Sequence, residues 1–283
     1  MKFKMKETLE LRVNIDYAHL LFEENEGKKL GASVKIIELS REDSRYDQIP
    51  LVAKAVKNKY NKSFFFGWKI KRKYNKKELD NALLLHFKIK TIFEPTGEEC
   101  GTIYDETIAC EICGANRKQI SQLFLKKDSI PAKDISKTIG GEILVSEKFV
   151  KVVANKGLKG LQFIPVNFKQ STSDYYQLTA STVIELSNST IVGINPFNLL
   201  TYSDNEIYKC PKGDTMGLNI LSEPYVYNSE VLKNYDFFLS RQTIGVKRGL
   251  LRPEHIYFCS QFFRKTVEEA ELTGFEFEIT NIL

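Results

Sequence analysis

Cys110 and Cys113 stand three positions apart, directly before Gly114. Two thiolates at this spacing, on a strand that turns at a glycine, can share one tetrahedral zinc ion. Two sulfurs make half a site. Cys210-Pro211-Lys212-Gly213 lies 100 residues after Cys110 and reads as a second copy of the loop with its second cysteine lost. A zinc site would therefore draw on Cys110, Cys113 and Cys210, with Cys100 or a water in the fourth position. Asp214 is a weaker oxygen candidate. The competing reading is a set of reduced, partly buried thiols left from a metal-binding ancestor. A thioredoxin-like pair is disfavoured, because the cysteines do not open a helix after a strand.

Other chemistry finds little footing. The three histidines, His19, His86 and His255, sit in no readable arrangement with an acid and a nucleophile. Gly140-Gly141 lacks the Lys-Ser/Thr of a phosphate loop. Ser136, Ser146, Ser240 and Ser260 lack the glycine-flanked elbow of a hydrolase. The sequence reads as that of a non-enzyme. An enzyme whose site is assembled in space from distant residues is an alternative.

The elements that position the cysteines come from an α+β chain of short strands and short helices. Its 283 residues are 42% hydrophobic, with 19 Phe and 13 Tyr, enough for a true core. No apolar run reaches membrane-spanning length, and the first residues lack an apolar signal region, so the expected compartment is the cytoplasm. Five cysteines form a poor disulfide framework. The net charge of +5 is local: Lys54 to Lys77 holds ten basic residues and no acid, so the rest of the chain sums to about −5. That stretch reads as a solvated strand and loop. A zinc-stabilised nucleic-acid-binding module using residues 54–77 is an alternative, with modest global charge against it.

One segment reads as written twice. With an offset of 114, Ser146 falls on Ser260, Phe149 on Phe263, Leu158 on Leu272, Gly160 on Gly274 and Phe163 on Phe277. Each copy reads as strand, serine cap, helix, Leu-x-Gly and alternating strand. Three segments follow: an N-terminal α/β segment, 1–93, with the basic aromatic stretch; a first module, 94–170, with Cys-x2-Cys-Gly; and a second module, 171–283, with the degenerate knuckle. Further local signals are the alternation of Leu9, Leu11 and Val13, a helix near Pro50, and Asn75 capping a helix with Glu78 at its third position. Cys259 aligns with Val145 and reads as core.

The order of several motifs carries a resemblance. Gly67 to Arg72 gives a Gly-Trp-x-Ile-x-Arg stretch. It is followed by Glu78-Leu79-x2-Ala82, Cys110-x2-Cys113-Gly114, Asp134-Ile135, and Val145-Ser146 through Gly160 to Val166. Over roughly residues 65–280 the chain resembles bacterial immunity proteins of polymorphic toxin systems, the double-CxxCG group in particular. The departure is the second knuckle, which lacks its second cysteine. The resemblance implies a cytoplasmic protein that binds one cognate toxin domain and blocks it without turnover. No membrane and no nucleic acid is implied as a partner, and no cofactor is required, a structural zinc being the one candidate. Aromatic and arginine anchors would carry the affinity, with Phe65, Trp68, Arg72, Tyr74, Arg248 and Arg252 as candidates.

Overall fold

A computed structural model describes residues 5–168, 174–197 and 208–283. The fold is mixed, with several sheets and short helices. Two compact units emerge, Met1–Leu79 with Asn195–Thr201, and Asp80–Ile194 with Tyr202–Leu283. Segments 94–170 and 171–283 thus lie almost wholly in the second unit. No helix among the described residues is long and apolar enough to cross a membrane.

The first unit is built on a four-stranded antiparallel sheet. Its strands are β1 (Lys6–Asn14), β2 (Lys28–Leu30), β3 (Val34–Ser40) and β4 (Phe65–Lys73), in the order β2-β3-β1-β4. Side chains alternate across a pleated strand, so Leu9, Leu11 and Val13 share one face and are buried. Ile37, Leu39 and Ile70 join that core, as do Ile49 and Val56 of helix α1 (Ile49–Tyr60). Pro50 stands in the first turn of α1, where its missing N–H costs nothing. After β4, Asn75 and Glu78 exchange side chain-to-backbone hydrogen bonds of 2.9 and 2.8 Å, capping α2 (Lys76–Asn81).

In the second unit a strand-strand-helix-strand run closes each of two stretches, the second of which carries two more strands than the first. In chain order the first half has β5 (Leu84–Ile89), β6 (Ile92–Phe93), β7 (Tyr104–Asp105), β8 (Lys118–Gln119), β9 (Ile135–Thr138), β10 (Ile143–Ser146), α3 (Glu147–Lys156) and β11 (Leu161–Pro165). The second half has β12 (Tyr175–Ala180), β13 (Val183–Ile184), β14 (Val192–Gly193), β15 (Thr215–Gly217), β16 (Asn219–Ile220), β17 (Tyr225–Val226), β18 (Phe237–Ile244), β19 (Glu254–Cys259), α4 (Gln261–Glu269) and β20 (Phe275–Ile282).

One sheet has the order β11-β12-β10-β9-β6, and the other contains β20-β5-β19-β18-β13. In the first sheet β12, from the second half, lies between β10 and β11. In the second, β5 from the first half lies between β19 and β20. The registers correspond. Val145 pairs with Tyr176 and Phe163 with Leu178; Cys259 pairs with Leu85 and Phe277 with Phe87. Ile92 pairs in parallel with Lys137, and Val183 in parallel with Leu239.

Local hydrogen bonds repeat as well. Ser146 caps α3 through the Phe149 N–H, and Ser260 caps α4 through the Phe263 N–H. Ser146 Oγ donates to Asp134 at 3.0 Å, and Ser260 Oγ to Asp236 at 2.8 Å. Each aspartate then reaches the opposite half. Asp134 accepts from the Thr273 N–H at 2.8 Å, and Asp236 from the Lys159 N–H at 3.0 Å. Phe149 and Phe263 are fully buried, with ring centroids 6.3 Å apart. Cys259 is also fully buried, and burial raises its thiol pKa well above the ordinary value.

Candidate metal centre

Two turns, one from each half, present the cysteines. In the first, the Cys110 N–H donates to the Ala115 carbonyl at 2.8 Å and the Gly114 N–H to the Cys110 carbonyl at 2.7 Å. Gly114 has φ of 73°, the left-handed region that glycine enters without penalty. In the second, the Cys210 N–H donates to the Thr215 carbonyl at 2.8 Å and the Gly213 N–H to the Cys210 carbonyl at 2.9 Å, with Gly213 at φ of 80°.

The turns bring four donors together. The sulfurs of Cys110, Cys113 and Cys210 and a carboxylate oxygen of Asp214 all lie within 4.8 Å of one another. The Cys110 and Cys210 sulfurs are 3.6 Å apart, and Cys210 Sγ is 3.8 Å from Asp214 Oδ2. None of the five cysteines is in a disulfide. A tetrahedron with metal–sulfur bonds of about 2.3 Å has sulfur–sulfur edges of about 3.8 Å. The cluster can therefore coordinate a metal ion with modest adjustment. Cys210 is buried, and the other three are partly exposed.

The backbone already favours negative sulfur. Burial opposes ionisation of Cys210, yet N–H groups of Asp214 and Lys212 directed at it hold its pKa below the usual thiol value. At Cys110 the N–H groups of Cys113 and Ile112 pull the pKa down. Burial and the neighbouring Asp214 and Cys113 push it the other way, and the net result is about 11. The opposite directions are those of one shared cluster, in which the first thiolate discourages the second. A divalent cation would remove that conflict. The first turn also orients Asp214. Asn116 donates to its Oδ1 at 2.9 Å and leaves Oδ2 toward Cys210.

The first turn is backed by an ionic network. Arg117 bonds Glu98 at 2.7 Å and Glu106 at 3.3 Å, and its guanidinium lies 3.7 Å from the Tyr104 ring centre. Lys247 pairs with Glu106 at 2.8 Å, and its methylenes cover Gly114. Hydrogen bonds from Lys247 and then Arg252, against some burial, hold the Glu106 pKa at about 2.

Of the four sulfurs considered from sequence, the structure unites Cys110, Cys113 and Cys210. Cys100 lies elsewhere, buried in an apolar cluster with Phe93, Leu123, Leu125 and Leu144. Its place is taken by Asp214, whose signal was visible only as an acid one residue beyond the second loop's glycine.

The six anchor candidates have varied surroundings. Phe65 packs edge-on against Phe197 at 5.9 Å. Trp68 pairs across from Leu11 and is half-buried, as is Tyr74. Arg72 is nearly buried and bonds Glu7 at 2.9 Å. Arg252 is nearly buried too, bonded to Glu98, Glu106 and the Gly249 and Leu251 carbonyls. Arg248 is exposed. In the basic stretch, Lys71 also bonds Glu10 and Glu38, each at 2.6 Å, so acids on β1 and β3 absorb part of its charge.

No protein-family model matches this sequence, and no curated protein matches it.

Proposed function

We propose that the chain works by binding a protein partner, as a cytoplasmic immunity protein that covers a cognate toxin domain, and that its metal site is a structural zinc. The observation that carries this reading is the donor set. Three sulfurs and one carboxylate oxygen, all from the protein, lie close enough together to fill the tetrahedral shell of one ion, which would leave no position for a reacting water. Such a site stabilises a fold. The order of motifs that resembles the double-CxxCG group supports the toxin-binding part of this reading, while the recurrence of elements in the second unit, which we read as an internal duplication, bears on how the chain is built.

Binding would draw on surface complementarity and on a few buried anchors at the interface. Phe66 and Arg248 are exposed and suit that role better than Arg72 and Arg252, which are engaged within the fold. Ion pairing of Lys71 and Arg72 weakens the nucleic-acid reading of residues 54–77.

The test is affinity capture of the tagged full chain from its native cells, followed by mass spectrometry. One stoichiometric protein carrying a toxin domain, retained in high salt, supports the proposal. Capture of nucleic acid lost steeply with salt would replace it.

A further inference from the structure

We propose that one zinc ion, bound by Cys110, Cys113, Cys210 and Asp214, clasps the two halves of the second unit, with Asp214 replacing the cysteine that the second turn lacks. The inference rests on the reading of the four donors as a structural metal site. It adds the object that the ion joins and the reason that an aspartate stands in the fourth position.

The assignment of Asp214 follows from register. Cys110 N–H bonds the carbonyl five residues on, and Cys210 N–H does the same. Cys110 therefore corresponds to Cys210 and Ala115 to Thr215. Between them the second turn offers Pro211, Lys212 and then Gly213, which shares the positive φ of Gly114, so no sulfur answers to Cys113. The next residue, Asp214, turns a carboxylate oxygen to within 3.8 Å of the Cys210 sulfur. Its other oxygen is fixed by Asn116, from the opposite turn. A hydrogen bond that orients a ligand in this way is a regular part of metal sites.

The ion would join halves that are already interlocked. β5 completes the sheet of the second half and β12 that of the first. Two ligands come from each half, so neither half can bind the ion alone. The bond sits between loops that correspond, much as a metal on a two-fold axis joins subunits of a dimer.

Cobalt(II) replaces zinc in the reduced full chain and reports both geometry and sulfur count by its spectrum. The expected result is one cobalt per chain, tetrahedral visible bands, and sulfur-to-cobalt charge transfer of three thiolates, displaced by one equivalent of zinc. Cys110→Ser, Cys113→Ser and Cys210→Ser should each weaken binding by more than about 100-fold. Asp214→Asn should weaken it by about 10- to 100-fold while the three-thiolate signature persists. Cys100→Ser should leave the spectrum unchanged. Asp214→Cys should raise the charge-transfer intensity by about one third, the signature of a fourth sulfur.

Tight binding that survives Cys210→Ser would overturn the shared clasp. An unchanged affinity in Asp214→Asn would overturn the fourth ligand, and a thiolate lost in Cys100→Ser would restore Cys100 to the site. Circular dichroism of each variant separates ligand loss from misfolding, and the wild-type sulfur count tests the donor set without any variant. Failure to capture a toxin while cobalt binds as described would remove the functional reading and leave the clasp standing.

Discussion

Gly160→Ala and Gly274→Ala should be the most damaging small substitutions in the second unit, and by similar amounts. Gly160 has φ of 96° and Gly274 φ of 108°, both far from the conformations open to alanine. A Cβ at Gly160 would strike the Phe237 carbonyl, with its carbon at 3.2 Å; one at Gly274 would strike the Ile135 carbonyl, with its carbon at 3.1 Å. These carbonyls begin the central strands β18 and β9, so they cannot swing aside as a side-chain tip could. Backbone strain of this kind costs about 1–3 kcal/mol. Forcing packed segments apart adds about 1–3 kcal/mol. We therefore expect a loss of about 2–6 kcal/mol for each.

Gly157→Ala is the internal control. Gly157 ends α3 with φ of 66°, and a Cβ there would meet nothing within 4 Å. It carries the left-handed penalty without the collision, about 1 kcal/mol. Urea unfolding followed by circular dichroism, with free energies compared at equal slope, measures all three. A loss at Gly160 or Gly274 no larger than that at Gly157 would refute the close approach of the two halves. A large loss at one and none at the other would refute their correspondence.

Three further outcomes follow from the same geometry. Asp134→Ala and Asp236→Ala should each cost about 2 kcal/mol, because each leaves a serine hydroxyl and an opposing backbone N–H without a charged acceptor; paired denaturation curves test this. Ser146→Ala and Ser260→Ala should each cost about 1 kcal/mol through loss of a helix cap, read the same way. In the first unit, the side chain and then the backbone N–H of Arg45 hold the Asp43 pKa at about 2, against an unfolded value of roughly 3.9. A depressed carboxyl stabilises above its unfolded value and loses that contribution as pH falls through the folded one. The pair is partly exposed, so screening leaves under about 1 kcal/mol. Asp43→Asn should thus lower the urea midpoint of Trp68 fluorescence near neutrality and converge with wild type in acid; equal offsets at both ends would refute the linkage.

The local grammar of the chain was largely readable. Serine caps, Asn75 with Glu78, the alternation at Leu9 to Val13, and the strand-leading glycines 160 and 274 all depend on residues within a few positions of one another. The metal cluster was half readable. The Cys110 loop announces itself by spacing, and Cys210 by its likeness to that loop. Cys100 was a reasonable sulfur by composition and is instead packed among aliphatic and aromatic side chains, where a thiol behaves as a small apolar group. Arg252 reads as a surface anchor, and its place as a nearly buried partner of Glu98 and Glu106 depends on residues about 150 positions away.

What the sequence by itself determined is where the capped helices start and which stretches alternate as strands, because capping, turning and alternation are satisfied by neighbours in the chain. What only the tertiary structure decided is which elements meet. The alternation of β5 and β12 is compatible with pairing to either half, and no local feature states that each completes the sheet of the other. Nor does any local feature place Asp214 beside Cys110, 104 residues away. Those choices are made by the burial of whole faces and by registers set across the chain, and such forces act on surfaces that exist only once the chain has folded.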